Sequence, residues 1–386
     1  FRKIKGYSLK FTYQNPTVIQ FGVGKIKSLV RFLEKDRKIL MVYGGGSIKT
    51  NGVYDQVKTA LEGYSLFEFS GVEPNPTIET MDKAIDIIKK EKIDFVLAVG
   101  GGSVIDGCKY LVAASLYEGE GWDFLDGKKV IKEALPLGVV LTLPATGSES
   151  NSFAVVSKKS TNEKCSLDSR FLFPAFAILD PSIMSTLSDR QLGNGLVDAF
   201  IHTCEQYITY PTTSLVQDGY SETLLKALVE LANTWEDRRS LQWCENLMWI
   251  ANQALNGLIG VGVPQDWATH CIGHELTAFY GIDHARSLAV IQPQLLRVMM
   301  EDKEEKLVQL GEAVFGIKND AEATILAMEK LYEKVGVPTN LNHYDIDTDV
   351  ISKVVTALEK HGMSQIGENA NITLEHTSKI LTMAMH

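Results

Sequence analysis

The 386-residue sequence lacks the features that mark several common classes of protein. No apolar run approaches the roughly 18 residues that a membrane-spanning helix needs, so we expect no transmembrane segment. The opening residues, Phe1-Arg2-Lys3-Ile4-Lys5, are not followed by an apolar stretch, so we expect no secretory signal peptide. Because the first residue is not Met, we expect that Phe1 is not the native start.

Cysteine is scarce, and its spacing offers neither a disulfide framework nor a zinc framework. The chain has five cysteines, an odd number, and no two of them form a Cys-x-x-Cys pair. This pattern favours reduced thiols, and we therefore expect a cytoplasmic protein. The formal net charge of −10 argues against a nucleic-acid or anionic-membrane partner, because neither surface attracts an acidic protein. Local positive charge can still bind a small phosphate.

The first half of the chain alternates short apolar runs with helical patterns. The predicted strands are residues 38–43, 65–69, 94–99, 139–143 and 175–179. Thr77 is a candidate N-cap for a helix whose apolar face comprises Ile78, Met81, Ile85 and Ile88. Strands and helices that alternate at this spacing predict a parallel, Rossmann-like sheet with helices on both faces. Ligands of such sheets bind beyond the carboxyl ends of the strands.

The pattern changes after Asp180-Pro181 and becomes almost entirely helical. Ser188 and Gln191 form a capping box that opens a long helix. We therefore predict two domains: an α/β dinucleotide-binding domain at residues 1–186 and an all-α, metal-binding and catalytic domain at residues 187–386.

Glycine-rich turns follow two of the predicted strands. Gly44-Gly45-Gly46-Ser47 and Gly100-Gly101-Gly102-Ser103 leave backbone N–H groups that can bind phosphate at a helix N-terminus. Neither turn is a G-x-G-x-x-G, and one such turn alone is equally consistent with simple chain geometry. A third polar turn, residues 142–149, follows the next strand, and three turns together favour a bound ligand. Asp106 and Lys109 lie one helical turn apart after the second turn, where a surface ion pair is the alternative.

The first turn also bears on the choice of nucleotide. A carboxylate at this position usually binds the ribose 2′-hydroxyl of NAD, and it would repel a 2′-phosphate. The turn has no acidic residue, whereas Ser47 and Lys49 are both present beside Gly45 and Gly46. This composition favours NADPH, and the alternative for Lys49 is a solvated surface lysine.

Four of the eight histidines lie between positions 202 and 284. Asp198 and His202 are spaced i, i+4, as are His270 and His274, so each pair projects from one helix face. His284 follows after a glycine turn. A carboxylate with several imidazoles is a ligand set suited to Zn²⁺ or Fe²⁺. A single histidine is more often structural, but the clustering favours a metal site.

One hydrolytic alternative is weakened by a specific residue. A zinc peptidase needs a glutamate beside the first histidine of H-E-x-x-H, and Cys271 stands at that position here.

Taken together, these segments resemble the iron-containing (group III) alcohol dehydrogenases, in particular a bacterial subgroup of NADPH-dependent aldehyde reductases and butanol dehydrogenases. The segments that carry the resemblance are residues 43–47, 73–76, 100–106, 142–151, 194–205, 252–266 and 267–288. The resemblance implies a dehydroquinate synthase-like fold, with cofactor and substrate in a cleft between the two domains. It also implies a homodimer, since relatives are often dimers.

The resemblance assigns roles to individual residues. The metal ligands would be Asp198, His202, His270 and His284, and the non-ligand histidine near the nicotinamide would be His274. The cofactor contacts that it implies are Ser47, Gly101, Gly102, Ser103, Thr142, Thr146, Ser148 and Lys164. The composition of the turns themselves adds Gly45, Gly46, Lys49 and Asp106 as candidate contacts. The chain departs from the wider family at Asp283-His284-Ala285, where Pro-His-Gly is common. The departure affects backbone shape more than ligand identity.

These expectations predict a metal-dependent, NADPH-linked enzyme that interconverts short- to medium-chain aldehydes and primary alcohols. The metal would act as a Lewis acid, NADPH would deliver hydride, and His274 would relay the proton. One alternative is an NAD-linked polyol dehydrogenase of the glycerol type, against which His202 argues because such relatives tend to use three protein ligands. A second alternative is a lyase of the dehydroquinate synthase type, which would require a more basic substrate pocket. A third is a metal- and nucleotide-binding sensor without turnover.

Overall fold

The computed structural model describes residues 9–161 and 163–386, so the prediction about a signal peptide at the N-terminus lies outside the described residues. Across the described part of the chain, no helix combines the length and apolar character that crossing a membrane requires. The chain forms two compact units. The first holds Gln14–Leu187 with Arg239–Asn252, and the second holds the described residues 9–13 together with Ser188–Arg238 and Gln253–His386. The assignment of NADP binding and metal binding to either side of residue 186 stays a prediction.

A six-stranded, wholly parallel sheet forms the centre of the first unit. Its strands are β1 (Val18–Phe21), β2 (Lys38–Tyr43), β3 (Ser65–Ser70), β4 (Phe95–Gly100), β5 (Leu137–Leu141) and β8 (Phe176–Leu179), in the order β1-β8-β5-β4-β2-β3. The helices between them are α1 (Ser47–Thr50), α2 (Val53–Ala60), α3 (Ile78–Glu91) and α4 (Gly102–Ala114). The fold class predicted for this half is therefore present.

Burial explains why most of the predicted strands appear as apolar runs. Strands β4, β5 and β8 are buried along their whole length, as is all of β2 after Lys38, so they read as continuous apolar runs. The edge strand β1 is partly exposed and was not predicted. Strand β5 was predicted at residues 139–143 but ends at Leu141. Pro144 follows soon after and has no N–H with which to continue a ladder.

An antiparallel hairpin, which the sequence did not reveal, follows β5. It consists of β6 (Phe153–Lys158) and β7 (Glu163–Asp168), with Phe153 opposite Asp168. Strand β7 is mostly polar, and β6 begins with four consecutive apolar residues, so neither strand shows the alternation that normally identifies a half-buried strand. The hairpin joins the segment before α3 through the Ser157 N–H, which donates to the Pro76 carbonyl at 2.8 Å.

Helices make up most of the second unit, as predicted. The remaining helices of the chain are α5 (Asp189–Tyr207), α6 (Leu215–Asn233), α7 (Leu241–Ala254), α8 (Ala268–Tyr280), α9 (His284–Val298), α10 (Met300–Leu310), α11 (Ala321–Lys334), α12 (Asp349–Lys360) and α13 (Leu374–Ala384). Most of α7 belongs to the first unit. The capping box of Ser188 and Gln191 is confirmed at the start of α5. A short antiparallel pair, β9 (Gln365–Ile366) and β10 (Ile372–Thr373), interrupts the helical pattern.

Candidate active site

Helix α5 contributes two of the predicted ligands from one face. Every residue from Leu196 to Tyr207 is buried, so polar side chains on this stretch have no access to bulk water. Asp198 and His202 lie one turn apart, with 3.9 Å between Asp198 Oδ2 and His202 Nδ1. A carboxylate and an imidazole are thereby held side by side in a desolvated environment.

Helices α8 and α9 bring the other two predicted ligands to the same place. His270 lies in the first turn of α8, and His284 is the first residue of α9. His284 Nε2 lies 3.7 Å from Asp198 Oδ1, and the His270 ring centroid lies 4.8 Å from that of His202. One potential ligand atom from each of the four residues lies within 4.8 Å of the others. The structure thus assembles all four side chains.

The chemistry of this group fits a divalent metal ion. Three imidazole nitrogens and one carboxylate oxygen make a four-donor set of the kind that binds Zn²⁺ or Fe²⁺. Burial lowers the pKa of His202 to about 4 despite the attraction of Asp198, so its ring is neutral and able to bind metal. His202 Nδ1 is buried and has no hydrogen-bond partner among the described residues. A bound metal would remove the cost of leaving that atom unsatisfied.

A residue that sequence reasoning missed orients one of these ligands. Glu205 Oε2 contacts His270 Nδ1, and Glu205 Oε1 accepts the Thr269 N–H at 2.8 Å. Burial, reinforced by nearby Asp266, raises the pKa of Glu205 well above its usual value. A carboxylate behind a ligating histidine sets the tautomer and the ring orientation, so Nε2 is the His270 nitrogen that would bind a metal. The available signal was spacing, since Glu205 follows His202 by three positions on the buried face of α5.

His274 and Trp267 lie beside the four-residue group. The ring of His274, one turn along α8 from His270, is 5.9 Å from that of His270 and 5.2 Å from that of His284. The indole of Trp267 meets the His270 ring edge-on at 5.2 Å. The role of His274 in proton transfer stays a prediction, but its place next to two candidate ligands is compatible with that role.

In the first unit, the turn after β2 opens onto free space. Gly46 adopts a left-handed backbone with φ 108°, and a Cβ added at Gly45 or Gly46 would meet no described atom within 4 Å. Ser47 begins α1 and is exposed. The Lys49 ammonium lies over the rings of Tyr43 and Tyr54, 5.4 Å and 5.0 Å from their centroids.

The turn itself has no acidic residue, but one lies near it on the neighbouring strand. The carboxylate of Glu68 in β3 accepts hydrogen bonds from Tyr43 Oη at 3.1 Å, Tyr54 Oη at 2.9 Å and Lys58 Nζ at 2.9 Å. Burial alone would raise the pKa of Glu68, but these three donors outweigh it and lower the pKa. Glu68 is thus an ionised carboxylate whose charge is already compensated, whereas the ammonium of Lys49 lies exposed beside the turn.

The turns after β4 and β5 are packed against each other. These two strands are adjacent in the sheet, and the Thr142 N–H donates to the Gly100 carbonyl at 3.0 Å. A Cβ at Gly102, the first residue of α4, would stand only 2.5 Å from Thr146 Oγ1. Glycine is therefore required here, because it lets the hydroxyl-rich turn approach the N-terminus of α4, where Gly101 and Ser103 also lie.

Asp106 and Lys109 of α4 form hydrogen bonds with the segment that follows β5 and with the hairpin. Asp106 accepts from Ser148 Oγ at 2.6 Å and from the Val155 N–H at 3.0 Å. Lys109 is fully buried and donates to Asn151 Oδ1 at 2.8 Å, so the alternative of a surface ion pair between Asp106 and Lys109 is wrong. Burial lowers the pKa of Lys109 to about 8.

Lys164 of β7 donates to Asn75 Oδ1 at 3.0 Å. The structure therefore pairs it with the 73–76 segment, which precedes α3.

Comparisons with known proteins cover nearly the whole chain. Residues 16–181 match the iron-containing alcohol dehydrogenase family, and residues 194–385 match the C-terminal region of the Fe-containing alcohol dehydrogenase family. The NADPH-dependent aldehyde reductase YqhD of Escherichia coli is 46% identical over 383 residues, which are 97% of this chain and 99% of that protein. Probable NADH-dependent butanol dehydrogenase 1 of Bacillus subtilis is 37% identical over 386 residues, with 97% and 99% covered.

Solved structures show the same similarity. The crystal structure of E. coli K-12 YqhD has a TM-score of 0.96 at 46% identity and covers 98% of this chain and 100% of that one. The crystal structure of NADH-dependent butanol dehydrogenase A from Thermotoga maritima has a TM-score of 0.95 at 34% identity, with 98% and 100% covered. The predicted fold class is confirmed.

Proposed function

Because the chain belongs to the iron-containing alcohol dehydrogenase family, we propose that it is a metal-dependent, NADPH-linked aldehyde reductase. It interconverts short- to medium-chain aldehydes and primary alcohols. The observation that carries the proposal is the group of Asp198, His202, His270 and His284, of which the first three are buried and whose ligand atoms lie within 4.8 Å of one another. We further propose that the enzyme is a cytoplasmic homodimer, as the resemblance implies.

The reaction adds a hydride from NADPH and one proton to an aldehyde, which gives a primary alcohol and NADP⁺. A divalent metal held by the four side chains would supply a Lewis acid for the carbonyl oxygen, and the nicotinamide would supply the hydride. The protein keeps its ligands ready for binding: burial holds His202 neutral, and Glu205 sets the orientation of His270. The apolar packing around α5 excludes water and strengthens the electrostatics of the site.

His274 is the proposed proton relay for the alcohol oxygen. Its ring centroid lies 5.9 Å from that of His270 and 5.2 Å from that of His284. His274 is therefore close enough to act on a substrate at the metal centre without being a metal ligand itself. An imidazole in this position can donate a proton to the alcohol oxygen and take another from solvent.

The three polar turns of the first unit are the proposed coenzyme site. Gly101, Gly102 and Ser103 at the N-terminus of α4 would bind the pyrophosphate through backbone N–H groups. The other proposed contacts are Gly45, Gly46, Asp106, Thr142, Thr146, Ser148 and Lys164. Ser47 and Lys49 would bind the 2′-phosphate, because they are exposed on the one turn whose nearby carboxylate is already compensated.

The test of this function is a direct assay of coenzyme oxidation. Metal-loaded enzyme should oxidise NADPH when butyraldehyde is added, and NADH much more slowly. An NAD-linked polyol dehydrogenase would instead reduce NAD⁺ with glycerol. A sensor would neither oxidise NADPH in the first assay nor form NADH in the second. Either outcome would overturn the proposal.

Lys49 offers a sharper prediction about coenzyme choice. The Lys49→Glu substitution should raise the KM for NADPH about tenfold or more, because it exchanges a charge-assisted contact with the 2′-phosphate for repulsion. The KM for NADH should change less than twofold. Initial rates with both coenzymes give the two values.

Lys35 provides the matched control, since its ammonium also lies over a tyrosine ring, 4.6 Å from the centroid of Tyr64. Lys35→Glu should leave both KM values unchanged. An equal rise for NADPH and NADH in Lys49→Glu would refute a 2′-phosphate contact.

A further inference from the structure

Helix α5 presents four polar side chains at four-residue intervals: Arg190, Asn194, Asp198 and His202. Residues with this spacing lie above one another on a single helix face. The second half of the row, Asp198 and His202, supplies two proposed metal ligands. The first half has no part in the predicted metal or coenzyme sites.

The first half of the row binds the residue immediately before the last proposed ligand. Arg190 Nε donates to Asp283 Oδ2 at 2.6 Å, and Asn194 Nδ2 donates to the same oxygen at 2.8 Å. The Asp283 carbonyl accepts the Arg286 and Ser287 N–H groups at 3.0 Å each, so Asp283 is also the residue from which α9 begins. The side chain of Asp283 thus ties the start of α9 to the N-terminal turns of α5.

Arg286 completes the arrangement by orienting Asn194. Its Nε donates to Asn194 Oδ1 at 3.0 Å, and one terminal nitrogen donates to the Gly336 carbonyl at 2.9 Å. With its oxygen engaged by Arg286, the Asn194 amide must direct its NH₂ group toward Asp283. Arg286 is itself buried, so this orientation is fixed by its surroundings.

We propose that Asp283, Arg190 and Asn194 form a positioning clamp that aligns His284 with Asp198 and His202 before a metal binds. The inference deepens the proposed function and rests on its metal centre. Residues 283 and 284 are consecutive, so the clamp on one sets the position of the other along α5. His284 Nε2 lies 3.7 Å from Asp198 Oδ1. Metal sites demand ligand placement within about 0.5 Å, and preorganisation raises affinity because less order is lost on binding.

The clamp also accounts for the local departure from the wider family. In place of the Pro-His-Gly common there, this chain has Asp283-His284-Ala285, and the side chain of the aspartate accepts the hydrogen bonds from Arg190 and Asn194. Ala285 is buried in the first turn of α9. His284 is therefore held by side-chain hydrogen bonds of its neighbour rather than by the restricted backbone of a proline.

The test measures metal affinity in the full-length protein, independently of turnover. Zn²⁺ dissociation constants would be obtained by competition with a chelating dye for the wild type, Asn194→Ala, Asp283→Ala and Asp283→Asn. We expect Asn194→Ala and Asp283→Ala to bind Zn²⁺ about 10- to 100-fold more weakly, the range seen when groups that orient metal ligands are removed. Asp283→Asn keeps an oxygen acceptor for both donors and should recover most of the affinity.

Arg238→Ala is the matched control. Arg238 forms a two-pronged ion pair with Asp189 at the start of the same helix, with distances of 2.9 Å and 2.8 Å, and contacts no proposed ligand. Its removal should change the Zn²⁺ dissociation constant less than twofold. The visible spectrum of the Co²⁺-substituted protein adds a structural readout: it should change in Asn194→Ala, as the coordination of His284 weakens, and stay the same in Arg238→Ala.

The clamp would be refuted if Asn194→Ala bound Zn²⁺ with the affinity of the wild type and also gave the Co²⁺ spectrum of the wild type. Should Asp283→Ala fail to fold, Asn194→Ala and Asp283→Asn decide the question. If the wild type itself binds no Zn²⁺ or Co²⁺, the proposed metal centre fails and the clamp fails with it. The wild-type titration therefore separates the two failures.

Discussion

Replacement of His270 by alanine should abolish stoichiometric metal retention and lower kcat/KM for aldehyde reduction by about 10³-fold or more. That loss corresponds to about 4 kcal/mol of transition-state stabilisation, which is within what a Lewis-acid metal supplies. The substitution removes one of four proposed donors and also leaves the buried Glu205 without its imidazole partner. The measurements are metal content after gel filtration and steady-state rates with NADPH and butyraldehyde.

A second histidine in the same unit controls for nonspecific damage. His343 is exposed and lies outside the four-residue group. His343→Ala should retain the full metal content and wild-type rates. A His270→Ala protein that still carries one tightly bound metal ion per chain would contradict the ligand assignment.

The second large effect is expected at the turn before α4. Gly102→Ala should weaken NADPH binding about 10- to 100-fold while metal affinity stays unchanged. The added Cβ would lie 2.5 Å from Thr146 Oγ1, so either the helix N-terminus or the hydroxyl-rich turn must move. Overpacking of this kind costs about 1–3 kcal/mol, and each 1.4 kcal/mol is a tenfold change in affinity. Fluorescence titration with NADPH measures the dissociation constant.

Gly219 in α6 is the matched control, because a Cβ there would meet no described atom within 4 Å. Gly219→Ala should leave NADPH affinity unchanged, and stability should stay the same or rise, since alanine favours a helix more than glycine does. An unchanged NADPH dissociation constant in Gly102→Ala would show that these two turns do not form the coenzyme site.

Local sequence patterns predicted the parts of the molecule that have a strong periodic or capping signal. Buried parallel strands such as β2 and β4 appear as apolar runs, and the capping box at Ser188 marks the start of α5. Spacing also placed Asp198 and His202 on one helix face, as observed. The hairpin of β6 and β7 lacks such a signal, because β6 begins with four consecutive apolar residues and β7 is mostly polar, so neither strand alternates.

Contacts between residues distant in sequence could not be predicted in this way. Glu205 reaches His270 across 65 positions, and Arg190 reaches Asp283 across 93. No local pattern encodes either contact, because each depends on how separate helices pack. Such contacts orient the proposed ligands, so the sequence suggested which residues would bind the metal but not which residues position them.

The first glycine-rich turn shows the same limit. The turn from Tyr43 to Lys49 has no acidic residue, yet Glu68 reaches it from the neighbouring strand. Two observations therefore support a preference for NADPH. Tyr43, Tyr54 and Lys58 donate hydrogen bonds to Glu68, and the ammonium of Lys49 is exposed.

The most direct test of the central claim is a titration of metal-free enzyme with Fe²⁺ under anaerobic conditions, and separately with Zn²⁺. The rate of NADPH oxidation with butyraldehyde would be followed as metal is added. The four-ligand site predicts no activity in the metal-free protein and a linear rise, with at least one of the two metals, that ends at one metal ion per chain. Full activity in the metal-free protein, or no activity with either metal bound, would contradict it.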